Sequence, residues 1–192
     1  MSTLGLLLAA GQGSRMGSPK ALVRGADGVP WLLSSRSGLL AAGCDRVLVV
    51  LGAESDAAQQ LLGDAEHVVA PDWADGMSAS LRAGLEAAEQ GSADAVLIHL
   101  VDLPDVTAAV MRRVLAHAAP GAPADSLARA AYDGTPGHPV LVGRRHWPAL
   151  VAELDGDQGA RGYLARHGAT LVECGDLATG ADVDTPEGLP PA

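Results

Sequence analysis

The residues best equipped for chemistry lie near the amino terminus, in the string Leu8-Ala9-Ala10-Gly11-Gln12-Gly13-Ser14-Arg15-Met16-Gly17-Ser18-Pro19-Lys20, directly after an apolar run that reads as a strand. Gly11, Gly13 and Gly17 let backbone N–H groups turn toward a polyanion without Cβ obstruction, while Arg15 and Lys20 supply charge for phosphate oxygens. Such a loop reads as a phosphate cradle, against the plainer reading of a Gly-rich turn with surface Arg and Lys. It is not a Walker A loop, which needs Lys and then Ser or Thr straight after Gly; here Gly17 is followed by Ser18-Pro19-Lys20. Nor does it match the dinucleotide fingerprint, because its glycines fall at 11, 13 and 17 and no acid stands in Trp31-Leu32-Leu33-Ser34-Ser35, about 20 residues on, to hold a ribose.

Acids come next. Asp102 follows the apolar run Ala95 to Leu100, at the carboxyl end of a predicted strand. Mg²⁺ takes hard oxygen ligands and is commonly held by one or two carboxylates plus substrate phosphates, so one Asp here is enough to begin a metal site. The competing role is a cap for a helix near Thr107, for which Asp105 is better placed. Asp182 and Asp184 stand two apart on a short segment; only one of them is expected to face a metal, and both would suit the start of a helix at Thr185-Pro186-Glu187. Ser78 and Ser80 open a predicted helix after Gly76, with Ser78 as its N-cap and free N–H donors beside it. His138 could act as a base or pack as a structural imidazole. Gly76-Met77-Ser78-Ala79-Ser80 lacks the last glycine of a nucleophile elbow, which sets serine hydrolases aside.

Short apolar runs at Leu4 to Ala9, Arg46 to Leu51, His67 to Ala70, Ala95 to Leu100 and Ala169 to Val172 predict core strands. Between them, helical spacing covers Trp31 to Ala42, Asp56 to Leu62, Ser78 to Gln90, Thr107 to Ala118 and Gly159 to Arg166. The alternation predicts an α/β fold, a three-layer α/β/α sandwich with a mainly parallel sheet, and ligands outside the carboxyl ends of its strands. Loops 10–20, 71–78 and 101–105 are therefore the places for chemistry.

With 192 residues and 48% hydrophobic content the chain can bury a sizeable core as one domain, packed by small residues because it has no Phe. A formal charge of −10 without segregated bases argues against nucleic-acid binding. Cys44 and Cys174, 130 positions apart, suggest neither a disulfide framework nor zinc and read as buried thiols. The apolar amino-terminal run is too short to span a membrane and has no basic lead, so a cytoplasmic protein is expected. Residues 118–124 read as a connector between core elements and Pro186 to Ala192 as a loose tail; no internal repeat is present.

The loop of residues 8–20 resembles the signature of the MobA-like nucleotidyltransferases, especially their molybdenum cofactor cytidylyltransferase branch. Gly76 to Leu85, Val101-Asp102-Leu103-Pro104, Gly137-His138-Pro139-Val140, Gly156-Asp157-Gln158-Gly159-Ala160-Arg161 and Asp182 to Glu187 are similar to further family motifs, in the family's order, across nearly the whole chain. The resemblance implies a nucleotide-diphospho-sugar-transferase-like, Rossmann-type single domain, with a nucleotide-binding part near 1–105 and an acceptor-binding part near 106–186. It implies transfer of CMP from CTP to a small phosphorylated acceptor such as molybdopterin, with a molybdenum enzyme as a further partner. Leu8, Ala9, Ala10, Gly11, Gly13, Arg15, Gly17 and Lys20 would bind the nucleotide with Gly76 and Ser80. Arg15, Lys20 and Asp102 would carry catalysis, and Asp102 and Asp184 would hold Mg²⁺.

Also by resemblance, His138 lies toward the acceptor; Asp157 and Arg161 either hold it or pair with each other. Ala10 stands where the guanylyl branch has glycine, which points to CTP. Two alternatives stay open: a nicotinamide-dependent reductase of a blue nicotine-derived pigment, as some proteins resembling this branch are described, and a pterin-binding delivery protein without turnover.

Overall fold

Every residue of β1 (Thr3–Ala9) is buried, the condition of a central strand covered by helices on both faces. The computed structural model describes residues 2–185, so the expected tail at 186–192 and the Pro186-Glu187 portion of the expected helix start lie outside the described residues. β1 pairs in parallel with β2 (Arg46–Leu51) on one side and β4 (Ala95–Leu100) on the other. β2 pairs in parallel with the short β3 (His67–Val69). Beyond β4 one strand is reversed: β6 (Thr135–Gly143) runs antiparallel between β4 and β5 (Leu127–Tyr132), and β7 (Thr170–Glu173) is parallel to β5. The described strands form one sheet in the order β3-β2-β1-β4-β6-β5-β7.

Alternation along each strand sends apolar side chains to two cores. Leu7, Val49 and Leu97 pack on one face against α1 (Trp31–Ala42), α2 (Ser55–Leu62) and α4 (Ala108–Leu115). Leu6, Val50 and Ile98 pack on the other against α3 (Met77–Glu89), α5 (Trp147–Glu153) and α6 (Arg161–Arg166). This is the expected three-layer α/β/α arrangement. Cys44 and Cys174 are free and buried, and burial, helped by Asp45, raises the Cys44 thiol pKa to about 12. No helix among the described residues is long and apolar enough to cross a membrane.

Two elements of the sheet and one helix were absent from the expectation. β5 reads Leu-Ala-Arg-Ala-Ala-Tyr, and alanine carries little strand preference of its own. β6 holds Pro136 and Pro139, which normally argue against an interior strand; here the β5 pairing shifts register between Arg129 and Ala131, and the recorded β4 pairing stops at Val140. The seven-residue α5 begins on Trp147-Pro148, too short for periodicity to reveal.

Candidate active site

The chain leaves β1 for β2 on one side, while β4 lies on the other, so the loops after β1 and β4 open on a common crevice at the point where strand order changes sense. A cleft of about 510 Å³ lies there. It gathers Leu8, Ala10, Gly11, Gly13, Arg15 and Lys20 from the first loop. Gly76 and Ser80 come from the start of α3, Asp102 from the β4 loop, and Asp184 from the far end of the chain.

The loop holds its shape through Gly13, whose φ of +61° and approach to the Ser18 carbonyl leave no room for a Cβ, and through the Met16 N–H, which donates to the Gly13 carbonyl at 2.9 Å. Two expected nucleotide contacts are not cleft residues. Ala9 alternates to the opposite face and packs in the core, and Gly17 sits exposed on the outer turn of the loop.

At the floor of the cleft Lys20 Nζ donates to Asp102 Oδ2 at 2.6 Å and to Asp184 Oδ1 at 2.5 Å, and Arg15 pairs with Asp184 Oδ2 at 2.9 Å. Lys20 is thus engaged by the two carboxylates rather than standing free for phosphate, as the loop alone suggested. Burial works to lower the Lys20 pKa, but the hydrogen bonds and charges of Asp102 and Asp184 outweigh it and the net shift is upward. The Lys20 hydrogen bond, aided by the Lys20 and Arg15 charges, holds the Asp184 carboxyl below the usual carboxylate range against some desolvation. The Arg15 side chain is 72% exposed and has freedom to swing. Asp102 Oδ1 is buried without a hydrogen-bond partner. Among the described residues no group of three or more His, Cys, Asp or Glu forms a metal cluster, so these carboxylates come as a pair.

Asp184 reaches the cleft on a strap, residues 175–184, fastened by Asp105. Asp105 Oδ2 accepts from the Thr179 N–H at 2.7 Å, the Thr179 hydroxyl at 2.6 Å and the Gly180 N–H at 3.3 Å. The Val183 N–H then donates to the Asp102 carbonyl at 3.0 Å. Asp105 therefore does not cap α4, whose N-cap position is Thr107. Asp182 is exposed, leaving Asp184 as the acid that meets Asp102 across Lys20.

Ser78 is not the N-cap of α3 either; Gly76 holds that position. The Ser78 hydroxyl donates to the Asp155 carbonyl at 3.0 Å and accepts from the Gly159 N–H at 3.2 Å, which ties the loop of residues 155–159 to the first turn of α3. That tie sets Asp157 on the wall shared by the first cleft and a second pocket of about 370 Å³. His138, Asp157 and Arg161 meet in this second pocket, and Asp157 and Arg161 form no ion pair among the described residues. Burial, then the Arg129 charge, lowers the His138 pKa to about 4, so its imidazole is neutral near pH 7. Trp73 and Met77 of the first cleft, and Arg129 of the second pocket, were not singled out in the sequence. Trp73 lies in a loop already marked for chemistry; Arg129 was hidden with its strand.

The model of the MobA-like NTP transferase domain matches residues 5–171. Over 95% of this chain and 92% of the relative, the sequence is 36% identical to nicotine blue oxidoreductase of Paenarthrobacter nicotinovorans. The fold is similar to a nucleotidyl transferase from Methanothermobacter thermautotroptrophicus, with a TM-score of 0.80 and 23% identity over 97% of this chain and 93% of that one. It is also similar to Rv0371C of Mycobacterium tuberculosis H37Rv in complex with manganese, with a TM-score of 0.74 and 26% identity over 95% and 94% of the two chains. With the family's domain matched over most of its length and the glycine loop, β4 aspartate and strap built around one cleft, the chain belongs to the MobA-like NTP transferase family.

Proposed function

We propose that this nucleotidyltransferase-type protein transfers CMP from CTP to a small phosphorylated acceptor, with molybdopterin as the expected acceptor, a molybdenum enzyme as the destination of the product and the cytoplasm as its place of work. The observation that carries the reading is the convergence of Lys20, Asp102 and Asp184 beside the glycine loop, three segments far apart in the chain. Residues near 1–105 would hold the nucleotide and residues near 106–186 the acceptor, with Asp157 on the wall between them.

Mg²⁺ fits the donors present. Asp102 offers a buried oxygen without a partner, Asp184 a second carboxylate, and both are hard ligands. The manganese complex of Rv0371C, a protein of similar fold at 26% identity, supports a divalent cation here. Asp102 and Asp184 would hold the ion, and it would supply Lewis-acid polarisation of phosphate oxygens. The chain's own groups do the remainder. Loop N–H groups and the Arg15 guanidinium orient the triphosphate, Lys20, released from the two carboxylates once they hold the ion, would offset charge developing on the leaving pyrophosphate, and the acceptor phosphate, already anionic, needs no general base. Ala10, 5% exposed on the cleft wall, narrows the space beside the base and favours a pyrimidine.

Calorimetric titration with CTP, GTP, ATP and NADH, each with and without Mg²⁺, tests this. Mg²⁺-dependent binding of CTP alone is expected. Asp102→Ala should keep the fold and lose at least about a hundredfold in turnover, on the order of 3 kcal/mol; an active Asp102→Ala protein would contradict the metal assignment. The full-length similarity to nicotine blue oxidoreductase favours a second reading, nicotinamide-dependent reduction. NADH binding without any NTP signal would establish it in place of the first, whereas pterin binding without turnover of any NTP would leave a delivery protein.

A further inference from the structure

In the second pocket two guanidinium groups face the same space with no carboxylate paired to either among the described residues. Arg129, on β5, is half-buried, and its Nε and Nη2 both donate to the Gly137 carbonyl, at 3.2 and 3.1 Å. Those bonds lock the plane of the group and leave the Nη1 hydrogens without a protein acceptor among the described residues. Arg161 approaches from the start of α6. Burial, and then the charge of Arg161, pull the pKa of the half-buried Arg129 below its ordinary value, so Arg129 feels the like charge of the exposed Arg161 across the pocket. The neutral His138 adds no third charge, and Asp157, on the pocket rim, is exposed. Beside Gln158, Leu81, Ile98, Val140 and Leu164 give the wall an apolar stretch.

Lys20, Asp102 and Asp184 line the first cleft and not this pocket. A group held between Arg129 and Arg161 is therefore away from the reacting phosphate. We infer that Arg129 and Arg161 form an oxyanion subsite for a second acidic group of the acceptor, whose apolar body lies against Leu81, Ile98, Val140 and Leu164. The substrate class is thus a compact amphipathic acid with two anionic ends, one presented to the nucleotide and one clamped by the arginines. A planar guanidinium fixed by one carbonyl is preorganised for a second acceptor, and an anion between the two cations relieves their repulsion. This deepens the transferase reading and rests on it for the word acceptor; the anion subsite itself does not depend on which nucleotide binds.

The test uses protein labelled with ¹⁵N at arginine, saturated with CTP and Mg²⁺, and titrated with inorganic phosphate while the Nε–Hε signals of Arg129 and Arg161 are followed. Both signals should move together and saturate. Arg161→Gln, a change at an exposed position, should weaken the affinity read at Arg129 by about tenfold or more, and Arg129→Gln should do the same at Arg161. Flat titrations at both signals, or an unchanged affinity in Arg161→Gln, overturn the subsite. Failure of CTP to bind is seen separately and counts against the transferase reading, and the site-resolved phosphate titration without nucleotide still decides the inference.

Discussion

Trp73 shows how much of the cleft depends on a residue outside it. Gly52, just after β2, has no side chain; a Cβ there would stand 2.6 Å from the Ala10 carbonyl oxygen and 2.7 Å from Cβ and Cγ of Trp73. The Ala10 carbonyl is itself fixed by the Ala53 N–H at 3.1 Å, so that side cannot yield. Gly52→Ala is therefore expected to push Trp73 off its seat and distort the wall that both residues give to the nucleotide. CTP affinity measured by calorimetry should fall by about tenfold or more, equivalent to roughly 1.4 kcal/mol, and the folding temperature should fall as well, because the clash meets backbone on one side. Undiminished affinity would remove Trp73 from the nucleotide wall. The same scale explains which site residues the sequence discloses. Arg15, Lys20 and Asp102 stand out because charge beside glycine, or after an apolar run, has few structural uses. Trp73 and Gly52 do not, since their meaning lies in a contact between loops after different strands.

Helix α3 lies against β1 and β2 closely enough that its own composition matters. At Gly84 a Cβ would come within 2.8 Å of both Leu6 Cδ1 and Val50 Cγ2, and the β-branched valine has little freedom to move. At Gly38 in α1, a Cβ would meet Met111 at 3.5 Å, an ordinary contact with an adaptable side chain. One substitution should thus have opposite signs on the two faces of the sheet. Gly38→Ala should stabilise by about 0.5–1 kcal/mol through helix preference, whereas at Gly84 overpacking of about 1–3 kcal/mol exceeds that gain. Urea unfolding of both variants is the measurement, and stabilisation by Gly84→Ala would mean that α3 is less tightly seated. Elements with strong patterns, β1, β2, β4 and α1, were legible within a residue or so because uniformly apolar runs and long helical periods have few other uses. The β5–β6 pair was not, since Ala-rich and Pro-containing strands take their structure from neighbours rather than from local preference. That gap also hid β6, the one described strand that runs against the others, and, on β5, Arg129. Asp105 and Ser78 were read as helix caps from proximity alone, while the fold uses both to fasten distant loops.

The molecule as a whole carries an acid sensitivity that follows from where it places histidine. His99, in the middle of the sheet on β4, is fully buried with neither ring nitrogen hydrogen-bonded, and burial, followed by the His138 charge, lowers its pKa to about 3. His138 titrates at about 4. An unfolded histidine titrates near 6.5, so below that pH the unfolded chain binds protons that the folded chain refuses. Stability from both groups is fully present above about pH 6.5 and falls as pH drops toward the folded values, by about 1.4 kcal/mol per pH unit for each proton. The depressed Asp184 carboxyl acts lower down: its contribution is present above the ordinary carboxylate range and is lost as pH falls through its folded pKa. Urea unfolding between pH 7 and 4 should therefore show a decline corresponding to between one and two protons, steepening below pH 4 as the carboxylates join. His99→Leu, which replaces an unpartnered buried imidazole with an apolar side chain, should remove about one proton from that slope and leave the protein more stable at pH 5 than the unsubstituted chain. A slope between pH 7 and 4 that His99→Leu leaves unchanged would place the acid sensitivity at His138 instead.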